Sequence, residues 1–337
     1  CLNDISPNNG KCPVTLTEND GGYDYTGTVL TIKPKESSGT NDLFVPLPNG
    51  ASKVIIEASE NKKVYLPIKS NNVITIDPQP EANVILQLID SSSIILAKSS
   101  DNLEIEAKGN PTINAEQANA ELKVNKMTLD DSKDCRSLST NAKLIINELN
   151  VMGNREFTGD GSGTITFSSV KVQKGGVFEP KKITLGNAKV GLGSKLNIEK
   201  SVTLGEKLEV AYRKSVTNAP ILFHNGFNSL EGKKIELFKK DDENLLDEEA
   251  EEAVIAQFSG ENCNKPCEEL KAGYGKGDTD LSETECKQNG NECSLVAKKA
   301  AEPTTSKKKK KLNGGEIAGI VIACVVVVAA IIALLVY

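Results

Sequence analysis

The sequence contains 8 cysteines, and their positions indicate cross-links rather than catalysis. Cys324 lies inside an apolar segment, where it behaves as a small hydrophobic residue. Of the other seven, Cys1 and Cys12 lie at the N-terminal end, Cys263, Cys267, Cys286 and Cys293 lie toward the C-terminal end, and Cys135 lies between the two groups. We expect Cys1 and Cys12 to close a small N-terminal loop, the four late cysteines to staple a compact module, and Cys135 to be left over. Zinc ligation by those four is the alternative, but their spacing is irregular for a zinc ribbon, so disulfides are predicted.

Few side chains are arranged for acid–base or nucleophilic chemistry. His224 is the single histidine, so any Ser–His or Cys–His mechanism has to use it, yet no nucleophile-elbow motif accompanies it. A polysaccharide-active enzyme uses carboxylate and basic side chains such as those of Asp130, Asp131, Asp134 and Arg136. Such clusters are more typical of solvated turns. The sequence therefore predicts no enzyme and no catalytic, cofactor-binding or metal-ligating residue. A polysaccharide-active enzyme is the alternative.

The composition favours a core of aliphatic side chains. Hydrophobic residues make up 38% of the 337 residues, aromatic residues only 4%, and Trp is absent. Stacked β layers filled by Val, Ile and Leu suit this composition better than a compact core built on large rings. The net charge of −6 gives no basic surface for nucleic acid, so no nucleic-acid partner is predicted.

Short β-type runs succeed one another through the body of the chain. The residues that start them recur every 9 to 11 positions: Val54, Val64, Val73, Val84, Ile94, Leu103, Ile113 and Leu122. Later, Val190, Leu196, Val202 and Leu208 recur every six residues, each with an apolar partner two positions on. Such spacing predicts a mainly β chain with a parallel β-solenoid (β-helix) over residues 1–240, with a β-sandwich as the alternative.

Four further segments follow the predicted solenoid. Helical spacing of apolar residues behind a run of acids predicts a short acidic capping helix over 241–258. A cysteine-stapled juxtamembrane module is predicted over 259–296 and a Lys-rich stalk over 297–316.

Residues 317–337 carry no charge, and as a helix they would extend ~32 Å, the thickness of a bilayer core. This predicts a transmembrane helix with membrane lipid as its partner. Its representative anchor residues are Ile317, Ile320, Val325, Ile331, Leu334 and Tyr337.

The orientation of this helix is less determined. The start at Cys1 is expected to follow removal of a signal peptide, which would place the β domain outside the plasma membrane as a single-pass protein. The lysines at 307–311 instead fit a tail-anchored intracellular topology by the positive-inside rule. A GPI signal with Asn313-Gly314-Gly315 as its site and a lost basic tail remain as alternatives. We expect the extracellular topology.

The lysine run followed by GGEIAGIVIACVVVVAAIIALLVY resembles the C-terminal spans of surface proteins of anaerobic protozoa such as trichomonads. This resemblance implies a repetitive ectodomain that faces a host or the environment. The β-repeat body is similar in architecture to polymorphic outer-membrane and autotransporter passenger domains. We therefore expect a structural, adhesive or antigenic surface protein with a host-cell or glycan ligand.

Overall fold

The computed structural model describes twelve stretches of the chain: 14–16, 22–34, 42–57, 62–69, 72–130, 134–191, 194–205, 207–211, 219–224, 230–238, 252–274 and 281–299. These residues form 25 β-strands and one short α-helix. All of them belong to one compact unit that covers residues 1–300.

The first strands are β1 (Val14–Thr15), β2 (Tyr23–Thr26), β3 (Val29–Ile32), β4 (Leu43–Phe44), β5 (Lys53–Ile56), β6 (Val64–Ile68), β7 (Ile74–Pro78), β8 (Val84–Ile89), β9 (Ser93–Leu96), β10 (Ser100–Lys108), β11 (Thr112–Asn114), β12 (Glu121–Leu129) and β13 (Ser137–Ser139). The remaining elements are β14 (Lys143–Asp160), β15 (Thr164–Lys181), β16 (Thr184–Val190), β17 (Lys195–Ile198), β18 (Thr203–Leu204), β19 (Lys207–Ala211), β20 (Ile221–Phe223), β21 (Lys234–Phe238), β22 (Glu252–Ser259), α1 (Asn264–Glu269), β23 (Lys271–Tyr274), β24 (Leu281–Asn289) and β25 (Glu292–Lys299).

The strands wind into a parallel β-solenoid of about eight turns, which confirms the predicted fold. Val64 pairs with Val84 and Val84 with Leu103, so one coil takes about 20 residues and contains two of the short strands. The spacing of 9 to 11 residues in the sequence is therefore half a coil. The β-sandwich alternative is wrong, because among the described strands only the pairs β2–β3, β22–β25 and β24–β25 are antiparallel.

Ladders of inward-facing side chains form the core. Leu66, Leu86 and Ile105 occupy equivalent positions in three successive coils, and none is more than 1% exposed. Farther along, Ile146 pairs with Phe167, which again is fully buried. Residues i and i+2 of a strand point to one face, so the alternating pattern sends every second side chain into this core.

The six-residue spacing found in the sequence is not the coil repeat. Val190 pairs with Val210 of the next coil, and Leu196 pairs with Ile221. Val202, which is also buried, belongs to a different part of the same coil. The spacing arises because one coil of about 20 residues turns several times and buries apolar residues after each turn.

The predicted acidic helix over 241–258 is wrong where the structure describes it, because residues 252–259 form strand β22. This strand pairs in parallel with β20 and antiparallel with β25. Its register shifts between Val254 and Ala256, so Ala253, Ile255, Ala256 and Phe258 are all buried. A strand whose alternation is interrupted by a bulge mimics helical spacing in the sequence. Residues 241–251 lie outside the described residues.

A disulfide-stapled hairpin follows the last coils. Strands β24 and β25 pair antiparallel, and β25 also pairs with β22. The structure joins Cys263 to Cys293 and Cys267 to Cys286, so these four cysteines form disulfides within one module as predicted. Cys1 and Cys12 lie outside the described residues.

Cys135 is a free thiol inside the core. It is fully buried, and its Sγ lies 3.8 Å from the carbonyl oxygen of Ser137. Burial is the main cause that raises the pKa of this thiol to about 12, against an opposing effect of the Arg155 charge. The thiol therefore behaves as a small apolar side chain.

The predicted stalk and transmembrane helix, residues 297–316 and 317–337, fall outside the described residues except for the last positions of β25. Among the helices that the structure describes, none has both the length and the apolar character needed to cross a bilayer.

Shortening a ladder residue should destabilise the solenoid strongly. Leu86→Ala leaves a cavity between two coils and should lower the free energy of unfolding by about 2–5 kcal/mol. Val73→Ala is the matched control, because Val73 is 51% exposed, and it should change that energy by less than about 0.5 kcal/mol. Urea unfolding of the full chain, followed by circular dichroism, measures both. Equal effects of the two substitutions would contradict the ladder.

Cys135 should resist thiol reagents in the folded protein. At pH 8 a thiol with a pKa near 12 is almost entirely protonated, and the side chain is closed to solvent. Alkylation followed by peptide mass mapping should find Cys135 unmodified in the native chain and fully modified in guanidinium chloride. Modification of native Cys135 at the rate of the unfolded chain would show that it is not in the core.

Candidate functional site

A polar cleft lies over the outer face of three stacked strands, β15, β17 and β20. Phe178, Leu196 and Ile221 stack inside the coil and are fully buried. Because neighbouring residues of a strand point to opposite faces, the next positions carry the outward side chains. Glu179 and Asn197 are two of these, one rung apart.

A second outward row runs beside the first. Continued past the ends of β17 and β20, the register of β15, β17 and β20 brings Lys181, Glu199 and His224 to equivalent positions of three coils. The backbone N–H of His224 donates to the carbonyl oxygen of Ile198 at 2.9 Å, which extends the strand pairing to this row. The ammonium group of Lys181 lies 3.5 Å from the carboxylate of Glu199.

The cleft measures about 690 Å³, within the range of about 300–1,000 Å³ that small-molecule sites occupy. Its described lining consists entirely of polar residues: Glu179, Asn197, Glu199, Lys200, Ser201 and His224. Strand β17 and the turn that follows it supply four of the six. The lining holds both hydrogen-bond donors and acceptors and suits a polar ligand.

One lysine balances two of the nearby carboxylates. Lys181 forms ion pairs with Glu156 and with Glu199. Its hydrogen bond to Glu156 is the main cause that lowers the pKa of that carboxyl group and raises the pKa of Lys181 itself. Glu179 lies opposite Glu156 in the register of β14 and β15, and it receives a hydrogen bond from the Asn197 amide instead.

Asn197 is the most enclosed polar residue of the cleft, with 9% of its surface exposed. Its Nδ2 donates to Oε1 of Glu179, and since a carboxylate only accepts, this bond fixes the orientation of the amide. Its Oδ1 is buried and has no hydrogen-bond partner in the described part of the chain. A buried acceptor in this state costs about 1–3 kcal/mol.

The other candidates from the sequence do not line this cleft. Arg136 and Asp134 form an exposed ion pair at 3.1 Å in the connection between β12 and β13, while Asp130 accepts a hydrogen bond from Arg155 through its carbonyl oxygen. Asp131 lies outside the described residues. Within the described stretches, no three His, Cys, Asp or Glu side chains are grouped to hold a metal ion.

Sequence reasoning considered His224 but missed the residues around it. Glu179, Asn197 and Glu199 carry no local motif, and only the register of the coils brings them together. The signal that could have identified Glu179 and Asn197 is that each directly follows a buried residue of its strand. Those buried residues, Phe178 and Leu196, are paired in neighbouring coils.

No family model matches this chain, and no curated protein or solved structure is significantly similar to it. The chemistry of the cleft is therefore inferred from the residues of this chain.

Proposed function

We propose that this protein is a membrane-anchored cell-surface protein whose β-solenoid has a structural, adhesive or antigenic role without enzymatic activity. The observation that carries the proposal is a continuous solenoid that ends in a disulfide-stapled hairpin, directly before the lysine-rich and apolar segments of the sequence. In a solenoid each coil contacts only its neighbours, so the fold provides an extended outer surface for ligands or antibodies.

The two disulfides support an extracellular position. Cys263–Cys293 and Cys267–Cys286 close loops of 30 and 19 residues in sequence separation. Structural disulfides form and persist in oxidising compartments and are rare in the cytosol. They favour the surface topology over a tail-anchored intracellular protein, the alternative that the lysines at 307–311 support.

In this proposal residues 317–337 form the single transmembrane helix, and lipid is their partner. Their uninterrupted apolar sequence supports it, as does the resemblance of the anchor to those of trichomonad surface proteins. The plasma membrane is the proposed location.

A surface enzyme that acts on polysaccharides is the second candidate function. The observation in its favour is that Glu179 and Glu199 line one cleft together with His224. Most glycoside hydrolases use a pair of carboxylates that flank the bond to be cleaved. Release of new reducing ends from polysaccharides by the full chain, abolished in Glu179→Gln and Glu199→Gln, would identify this activity.

Charges placed in the apolar segment should release the protein from membranes. Val325→Lys with Ile331→Lys adds two charges, each of which costs about 2.5–3.5 kcal/mol near the centre of a transmembrane helix. The wild-type chain should stay with membranes after carbonate extraction, and the double variant should move to the soluble fraction. Val325→Leu with Ile331→Leu is the matched control and should stay with the membranes.

The location of the β domain is tested in the same cells. A membrane-impermeant biotin reagent should label the solenoid on intact cells, and phosphatidylinositol-specific phospholipase should not release it. Labelling only after permeabilisation would contradict the surface topology, and phospholipase release would identify a GPI anchor.

A further inference from the structure

We propose that the cleft over β15, β17 and β20 binds an uncharged glycan, with Glu179 and Asn197 as the central hydrogen-bonding pair. This inference deepens the adhesive role proposed above and rests on it for its biological meaning. The binding chemistry itself follows from the cleft.

The unpaired Oδ1 of Asn197 is the first observation that indicates a ligand. Strand β17 fixes the backbone of this residue between β15 and β20, and Glu179 fixes its amide from one side. The acceptor that remains is closed to water in the unliganded chain, so a ligand hydroxyl reaches it only when the Asn197 side chain turns toward the cleft. A hydroxyl group that donates to Oδ1 removes the cost of the unpaired acceptor, and this gain occurs only when the ligand binds.

Glu179 provides the second acceptor. In the described part of the chain its carboxylate is hydrogen-bonded by Asn197, while the nearby Lys181 is paired with Glu156 and Glu199. A carboxylate has about four acceptor positions, so Glu179 can accept from ligand hydroxyls in addition to Asn197. Glu179 and Asn197 lie one rung apart, about 4.8 Å, and can contact neighbouring hydroxyls of one sugar.

Three further lining residues supply hydrogen-bond donors. Lys200 and Ser201 occupy the turn after β17, and both are exposed. His224, at the end of β20, adds an imidazole group. A sugar hydroxyl donates one hydrogen bond and accepts others, so a surface that combines these donors with the acceptors of Glu179 and Asn197 is complementary to a polyhydroxylated ligand.

The charges disfavour acidic sugars. Three carboxylates, those of Glu156, Glu179 and Glu199, lie along the outward rows. They outnumber the two nearby ammonium groups, those of Lys181, which is shared between Glu156 and Glu199, and of Lys200 in the lining. A uronate or sialate would approach Glu179 with like charge, which costs binding energy. The six described lining residues are all of polar type, and the cleft volume of about 690 Å³ suits a short oligosaccharide.

The test measures glycan binding to the purified full chain in a zwitterionic detergent that contains no sugar. An array of neutral and acidic oligosaccharides identifies the best neutral one, and calorimetry then measures its Kd. Asn197→Ala and Glu179→Gln should each weaken that binding at least tenfold, while each variant keeps a single cooperative urea transition that shows a folded chain. Asn187→Ala is the matched control, because Asn187 is an exposed residue of β16 outside the cleft, and it should bind as the wild type does.

The salt dependence of binding tests the prediction that the glycan is uncharged. Binding of the neutral glycan should change little between low and high salt, since no ion pair with the ligand is formed. A preference for acidic glycans, unchanged affinity in Asn197→Ala, or no binding to any oligosaccharide on the array would each overturn the inference. The glycan-binding test and the surface-labelling test can fail separately. If the chain is labelled on the cell surface but binds no glycan, the glycan inference is wrong and the proposed surface location stands.

Discussion

Each coil of this solenoid has an apolar inner face that only the coils above and below can cover. The strands are short, so no single coil buries enough surface to be stable alone. Stacking solves this by repetition: Leu66, Leu86 and Ile105 continue one another from coil to coil without solvent between them. Rings enter the stack farther along, where Phe157 and Phe167 meet edge to face at 5.9 Å and Phe223 stacks on Phe258 at 4.7 Å. The core is therefore mainly aliphatic, with rings at a few of its levels.

The same constraint creates the cleft. Because Phe178, Leu196 and Ile221 point into the core, the next residue along each strand must face outward. Coil stacking then places outward side chains in rows with a spacing of about 4.8 Å, whatever their distance in sequence. Glu179, Asn197 and the neighbouring row of Lys181, Glu199 and His224 owe their proximity to the core. A polar site on this fold needs no loop of its own to position it.

Much of the fold was predictable from the sequence because the coil signal is local. Alternating β-branched residues at Val54, Val64 and Val84 give strands, and their regular spacing gives repetition. The four late cysteines were predicted to form disulfides within one module, but their pairing needed the hairpin of β24 and β25. The helix predicted over 241–258 failed for the opposite reason, since a bulge near Ile255 imitates helical spacing and the partner strands that decide the conformation are distant in sequence.

The site was not predictable because its residues are brought together by register alone. Glu179 and Asn197 are one coil apart, and the insertion or deletion of one residue in that coil would turn one of these side chains toward the core. Nothing in the local sequence of either residue differs from an ordinary solvated strand position. His224 was visible as the single histidine, but its neighbours were not.

Parallel register places Glu179 and Asn197 side by side on the outer face. Cross-linking tests this register most directly. The double variant Glu179→Cys with Asn197→Cys is treated with a bifunctional thiol reagent that spans about 4.8 Å, the distance between neighbouring strands. Peptide mass mapping should find the two positions joined rapidly in the folded chain, whereas Glu179→Cys with Asn187→Cys should remain unjoined. Equal rates for the two pairs, or joining of the second pair only, would contradict the register on which both the core and the cleft depend.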